Sequence, residues 1–133
     1  MKSIQKMSWA TVLIAVCSFG ALGYSGESNA VKKAKVAVKE AEPYDWKTLA
    51  ESAQVCFKKK ENLEMAMEWI NKSIEINKDP FNLEIKGDYF ESIGEEKEAM
   101  KLYYEAITVG KEQSFWFDSS DIQAKIWKLR DQK

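Results

Sequence analysis

From residue 46 onward, apolar side chains return every three to four residues. Trp46, Leu49, Ala50, Ala53 and Phe57 share one face of a 3.6-residue period, which predicts a first helix. Asp45 stands where it caps that helix, and the charged run KKKEN at 58–62 interrupts the pattern. A second helix follows, with Leu63, Ala66, Met67, Ile70 and Ile74 on one stripe and Met65, Trp69 and Ile76 on another. A helix apolar on two sides is sandwiched between neighbours rather than laid on a core. NKDP at 77–80 is a stop followed by a proline start signal. The pattern then predicts a third helix over 81–93, carrying Leu83, Gly87 and Phe90, which ends at Gly94. A fourth over 95–109 carries Ala99, Leu102, Tyr103, Ala106 and Ile107 and closes at Gly110. FWFDSSD at 115–121 reads as an aromatic turn, whose three neighbouring rings cannot all face inward. Ile122, Ile126 and Leu129 mark a fifth helix.

The second and fourth helices repeat one design. Ala66-Met67 is followed 33 residues later by Ala99-Met100, and Ile70, Ser73 and Ile74 return as Tyr103, Ala106 and Ile107. A unit of two helices is too thin to bury both sides of its second helix, and a stacked copy covers the side left open. This spacing resembles the tetratricopeptide repeat, whose period is about 34 residues. Gly87, Phe90, Gly94, Ala99, Tyr103 and Ala106 match the packing positions of that family in the second copy. In the first copy Phe57, Ala66, Ile70 and Ser73 match, while Gln54 and Glu61 replace the family glycines. The resemblance implies an all-α fold of two helix-turn-helix units, about 47–79 and 80–113 within a folded part that starts at 44. A turn and capping helix follow over 114–133. NLEMAMEWINKSIEIN is also similar to the helical tail of some exported bacterial proteins of unknown function, which implies no activity.

Upstream the composition changes. Lys2 and Lys6 precede an uncharged stretch from Trp9 to Leu22, and Ser28-Asn29-Ala30 supplies small residues at a cleavage site. Residues 1–30 therefore read as a secretory signal peptide cut after Ala30, with Gly23 as the alternative site. Cys17 raises a second reading, a lipid-anchored or uncleaved leader that makes the chain a membrane-tethered subunit or assembly factor of an envelope complex. VKKAKVAVKEAEP at 31–43 has no aromatic residue and reads as a Lys/Ala/Glu-rich linker, helical only if docked.

Charge and chemistry narrow the function. Of 133 residues, 20 are Lys or Arg and 21 are Asp or Glu, so no global field draws in nucleic acid. The chain has no His, which removes the commonest general base and metal ligand. It shows no phosphate-cradling glycine loop, no metal-ligand spacing and no catalytic constellation. Cys56, alone once the leader is removed, sits in a helical pattern as a small buried hydrophobe. A non-catalytic protein or peptide binder with no cofactor and no metal is the expectation. By the resemblance, Thr48, Glu51, Val55, Lys58 and Lys59 of the first unit and Phe81, Glu84, Asp88, Glu91 and Ser92 of the second face a concave surface. Glu51 and Val55 replace the Lys and Asn with which the family's best-known groove grips a peptide carboxylate, so that specificity is not carried over. Glu84, Asp88 and Glu91 form either an acidic strip suited to a basic segment or an ordinary solvated face.

Overall fold

A computed structural model describes residues 26–131. The expected leader up to residue 25, with Cys17 and the Gly23 site, lies outside that part, as do residues 132 and 133. The described residues form six helices: α1 Asn29–Glu40, α2 Trp46–Lys59, α3 Leu63–Ile76, α4 Pro80–Ser92, α5 Glu96–Gln113 and α6 Ser120–Asp131. Among the described residues there is no strand, and no helix is long and apolar enough to cross a membrane. The fold is all-α.

Local chemistry sets each boundary. Asp45 caps α2 by accepting from the Thr48 amide at 3.0 Å and the Thr48 hydroxyl at 2.6 Å. Asp79 caps α4, with Pro80 at the first helical position and Asn82 completing a reciprocal capping box. Gly94, at φ +81°, makes the left-handed turn between α4 and α5. The corresponding turn between α2 and α3 has no glycine, and Lys60 (φ 56°) and Asn62 (φ 50°) take left-handed conformations themselves. Asn tolerates that region; for Lys it costs about 1–2 kcal/mol.

α2 packs on α3 and α4 on α5 as two helical hairpins, and α4 also touches α2 and α3. α1 lies on α2, and α6 lies on α5. Two buried clusters meet at α4. Ile85 joins Val31, Ala50, Ala53, Cys56, Ala66 and Ile70, while Leu83 joins Tyr103, Ala106, Ile122, Ile126 and Leu129. A polar relay crosses between the hairpins. The Ser73 hydroxyl donates to the Trp46 carbonyl at 2.7 Å and accepts from the Asn82 amide at 3.0 Å.

Two expectations change. Most of the segment expected as a linker is the docked helix α1, whose Val31 is fully buried and Ala34 nearly so. Two apolar residues one turn apart suffice because polar contacts hold the rest. Ser52 Oγ donates to the Ala34 carbonyl at 3.4 Å, the Ser28 amide donates to the Glu61 carboxylate at 2.9 Å, and Lys35 pairs with Glu27. The Ala30–Val31 bond thus lies in the first turn of a capped helix. Nor does Gly110 end α5, which runs on to Gln113. Gly110 is buried under the Phe117 ring, which occupies the space a Cβ would need, so this glycine serves close approach rather than capping. Phe115 and Trp116, the other two rings of that turn, are each 86% exposed.

Candidate partner-binding face

The expected face residues do not form one surface. Glu51 and Val55 line a shallow groove against α1, beside Lys33 and Ala37. Phe81 is half-buried against the Ile85 cluster and serves packing. Lys58, on the last turn of α2, lines a small cavity between α2 and α4. Glu84, Asp88 and Glu91 do lie along one side of α4, where their spacing of three or four residues puts them.

Those acids already have cationic partners. Lys125 Nζ of α6 donates to Glu84 Oε1 at 2.7 Å and to Asp88 Oδ1 at 2.5 Å. Lys128 Nζ donates to Glu91 Oε1 at 2.8 Å. The basic segment that faces the acidic strip is therefore the chain's own last helix. Tyr103 of α5 reaches the same place from below, its hydroxyl 2.8 Å from Asp88 Oδ1 and 2.7 Å from Glu91 Oε2. A phenol has one hydrogen, so it donates to one carboxylate at a time.

The electrostatics follow from this closed network. Burial pushes the Tyr103 phenol up, and hydrogen bonds to Glu91 and Asp88 push it further, so it remains a neutral donor. Burial alone would raise the Glu91 carboxyl, but Lys128, Tyr103 and Lys125 outweigh it and hold the group below the usual glutamate range. Lys125 is partly desolvated, which opposes its charge, yet Asp88 and Glu84 keep its ammonium above the usual lysine range. Each charge in the network is stabilised by the others.

Beside this network lies a cavity of about 110 Å³ between α2 and α4. Its floor is the stacked pair Phe57 and Tyr89, with ring centroids 4.3 Å apart and planes 24° from parallel. Ile85 deepens it, and Gln54, Lys58, Asp88 and Ser92 supply the rim. An apolar base with a few polar rim groups fits a side chain of a bound peptide. Lys58 is exposed and forms no ion pair among the described residues, so its charge is free at the rim.

Among the described residues, no cluster of three or more Cys, Asp or Glu is arranged to hold a metal ion. Cys56 is buried, and that burial pushes its thiol up, away from the nucleophilic thiolate.

Sequence reasoning missed Phe57, Gln54 and Tyr89 as cavity residues and Lys125 and Lys128 as partners of the acids. The lysine pair carried a signal: two cations three residues apart on α6 match the spacing of the acids on α4. The cavity carried none, because Tyr89 reads as an ordinary helix residue until α2 and α4 are placed side by side. Compared with protein-family models, curated proteins and solved structures, the chain matches none.

Proposed function

We propose that the chain is an exported, non-catalytic interaction module of tetratricopeptide type, which holds a protein or peptide on the face shared by α2 and α4. The observation that carries this reading is the open cavity over the Phe57–Tyr89 stack, with Lys58, which forms no ion pair among the described residues, at its rim. Contacts of α4 with both α2 and α3 support the repeat assignment, because stacked units of this kind touch through consecutive helices. Any basic partner segment aimed at Glu84, Asp88 and Glu91 must first displace Lys125 and Lys128. An apolar side chain entering the cavity faces no such competition, and an adjacent carboxylate or backbone carbonyl would meet Lys58.

The test is site-specific photo-crosslinking in the native envelope, with the reactive group at position 58 and, as control, at exposed position 72 on α3. A partner captured from 58 and not from 72, and lost on Tyr89→Ala, is the expected result. Equal capture from both positions would refute the assignment of this face. Intact mass of the natively produced chain separates release from tethering, since a lipid adduct on Cys17 or a retained leader means attachment to the membrane. A cut after Ala30 would remove the Ser28 cap and the Glu27 contacts of α1, whereas a cut after Gly23 would keep them.

A further inference from the structure

α2 is covered by α3 and α4 by α5, but among the described residues no helix lies against the free side of α6. On that side Tyr104 and Ile107 of α5 and Ile126 and Trp127 of α6 line an open groove of about 330 Å³. Tyr104 is 52% exposed and Trp127 56%, so two large rings of this groove face water. Burying such aromatic anchors is what drives partner helices into grooves. The charged residues of the groove are Lys111 and Arg130, both cationic. Arg130 lies over the Trp127 ring at 4.8 Å, and neither cation forms an ion pair among the described residues.

We infer that the α5–α6 groove docks an amphipathic helix of another protein, whose apolar stripe covers Tyr104 and Trp127 and whose flanks are acidic. The charge pattern argues against a second copy. The outer helices that another copy would offer are α1, whose sequence NAVKKAKVAVKE carries four lysines against one glutamate, and α6, with Lys125, Lys128 and Arg130 against Asp121 and Asp131. Like charge would then meet like at Lys111 and Arg130, which costs affinity and association rate. A helix with glutamates beside its apolar stripe meets both cations favourably and occupies the place that α3 and α5 occupy beside α2 and α4. This site is separate from the α2–α4 cavity and does not depend on the role proposed for it.

Two synthetic amphipathic peptides of about five turns test the inference against the full chain. Both carry leucines at i, i+3, i+4 and i+7; one has glutamates on its flanks and the other lysines. The glutamate peptide is expected to bind at least about tenfold more tightly and to shift the indole N–H resonance of Trp127. The double variant Lys111→Glu, Arg130→Glu should keep its helical circular dichroism and reverse the preference. Three results would overturn the proposal: equal affinity for the two peptides, resonance shifts centred on Phe57 and Tyr89, or a Trp127 resonance that moves on dilution of the chain alone, which would mean self-association.

Discussion

A Cβ placed on Gly87 would stand 2.6 Å from Cε1 and 2.8 Å from Cδ1 of Tyr103, distances that packed atoms do not adopt. The ring has no room to yield, because its hydroxyl is held between Asp88 and Glu91 and its body is fully buried. Two effects therefore oppose each other in Gly87→Ala. Helix propensity favours Ala by about 1 kcal/mol, whereas forcing a methyl against a fixed ring costs about 1–3 kcal/mol. Overpacking wins, so Gly87→Ala is expected to lower the melting temperature, while Lys86→Ala one residue away leaves it nearly unchanged. Equal melting temperatures for the two variants would show that α4 and α5 can separate freely at this point. The requirement for a small residue was readable from the repeat spacing. The hydroxyl clamp that makes it strict was not, since no sequence period tells which acids a buried tyrosine will reach.

Among the elements, the two outermost helices each add polar contacts to a short apolar face. α6 is joined to α4 through Lys125 and Lys128, and the Lys125 side chain is 29% exposed. Fully exposed ion pairs contribute about 0.2–1 kcal/mol, and charged hydrogen bonds in drier sites about 1.5–3. Lys125→Met, which keeps the apolar stem, should therefore destabilise by roughly 1–2 kcal/mol, between those limits. The pH dependence has a definite sign. Glu91 is held below its ordinary range in the fold, so its contribution is complete above that range and is lost as pH falls through the folded value. Lys125 is held above its ordinary range, so its contribution is complete below that range and is lost only as pH rises through the folded value. A plateau between the two, with an acid arm that shallows in Lys128→Met, is expected from melting temperature against pH; superimposable curves would remove Glu91–Lys128 from the account. α1 depends on its cap instead. A chain beginning at Val31 lacks Ser28 and puts a charged amino group at the positive end of the helix. It should be less stable than one beginning at Tyr24 by about 1 kcal/mol or more, read as a lower urea midpoint. Among the central helices, α2, α3 and α5 were legible because each repeats an apolar stripe over three turns, and α4 because Pro80 starts it and Gly94 follows its end. α1 was not, because Val31 and Ala34 are too few to stand out from a Lys- and Ala-rich background, and its partners Glu27, Glu61 and Ser52 are distant or equally ordinary in sequence.

At the scale of the whole molecule, the two buried clusters share one helix and one polar relay. Apart from α1, the succession of helices followed from the sequence, and so did the contact of one hairpin with the next, because α3 is apolar on two sides. The candidate site was less legible. Lys58 and Asp88 were among the residues named from the repeat spacing, but the acids' partners came from α6 and the cavity floor from the meeting of Phe57 and Tyr89, both products of tertiary geometry. The relay is where the first copy departs from a purely apolar repeat: Ser73 stands opposite Ala106 of the second copy, and its hydroxyl needs a partner once buried. Trp46 supplies the acceptor from α2, and Asn82 the donor from α4, so three helices are tied through one oxygen. Asn82 also donates to the Asn77 carbonyl at 2.8 Å and accepts from the Asp79 amide at 3.1 Å, which fixes the entry of α4. Asn82→Ala removes all three bonds and leaves buried polar groups of the turn unsatisfied, at roughly 1–3 kcal/mol. The loss falls on the seam between the hairpins rather than within either. The native chain should therefore unfold in urea in one step by both probes, the indole N–H resonance of Trp69 for the first hairpin and that of Trp127 for the end of the stack. In Asn82→Ala the two transitions should separate, with a shallower apparent slope by circular dichroism. Coincident transitions shifted together to lower urea would mean that Asn82 contributes stability without coupling the two halves.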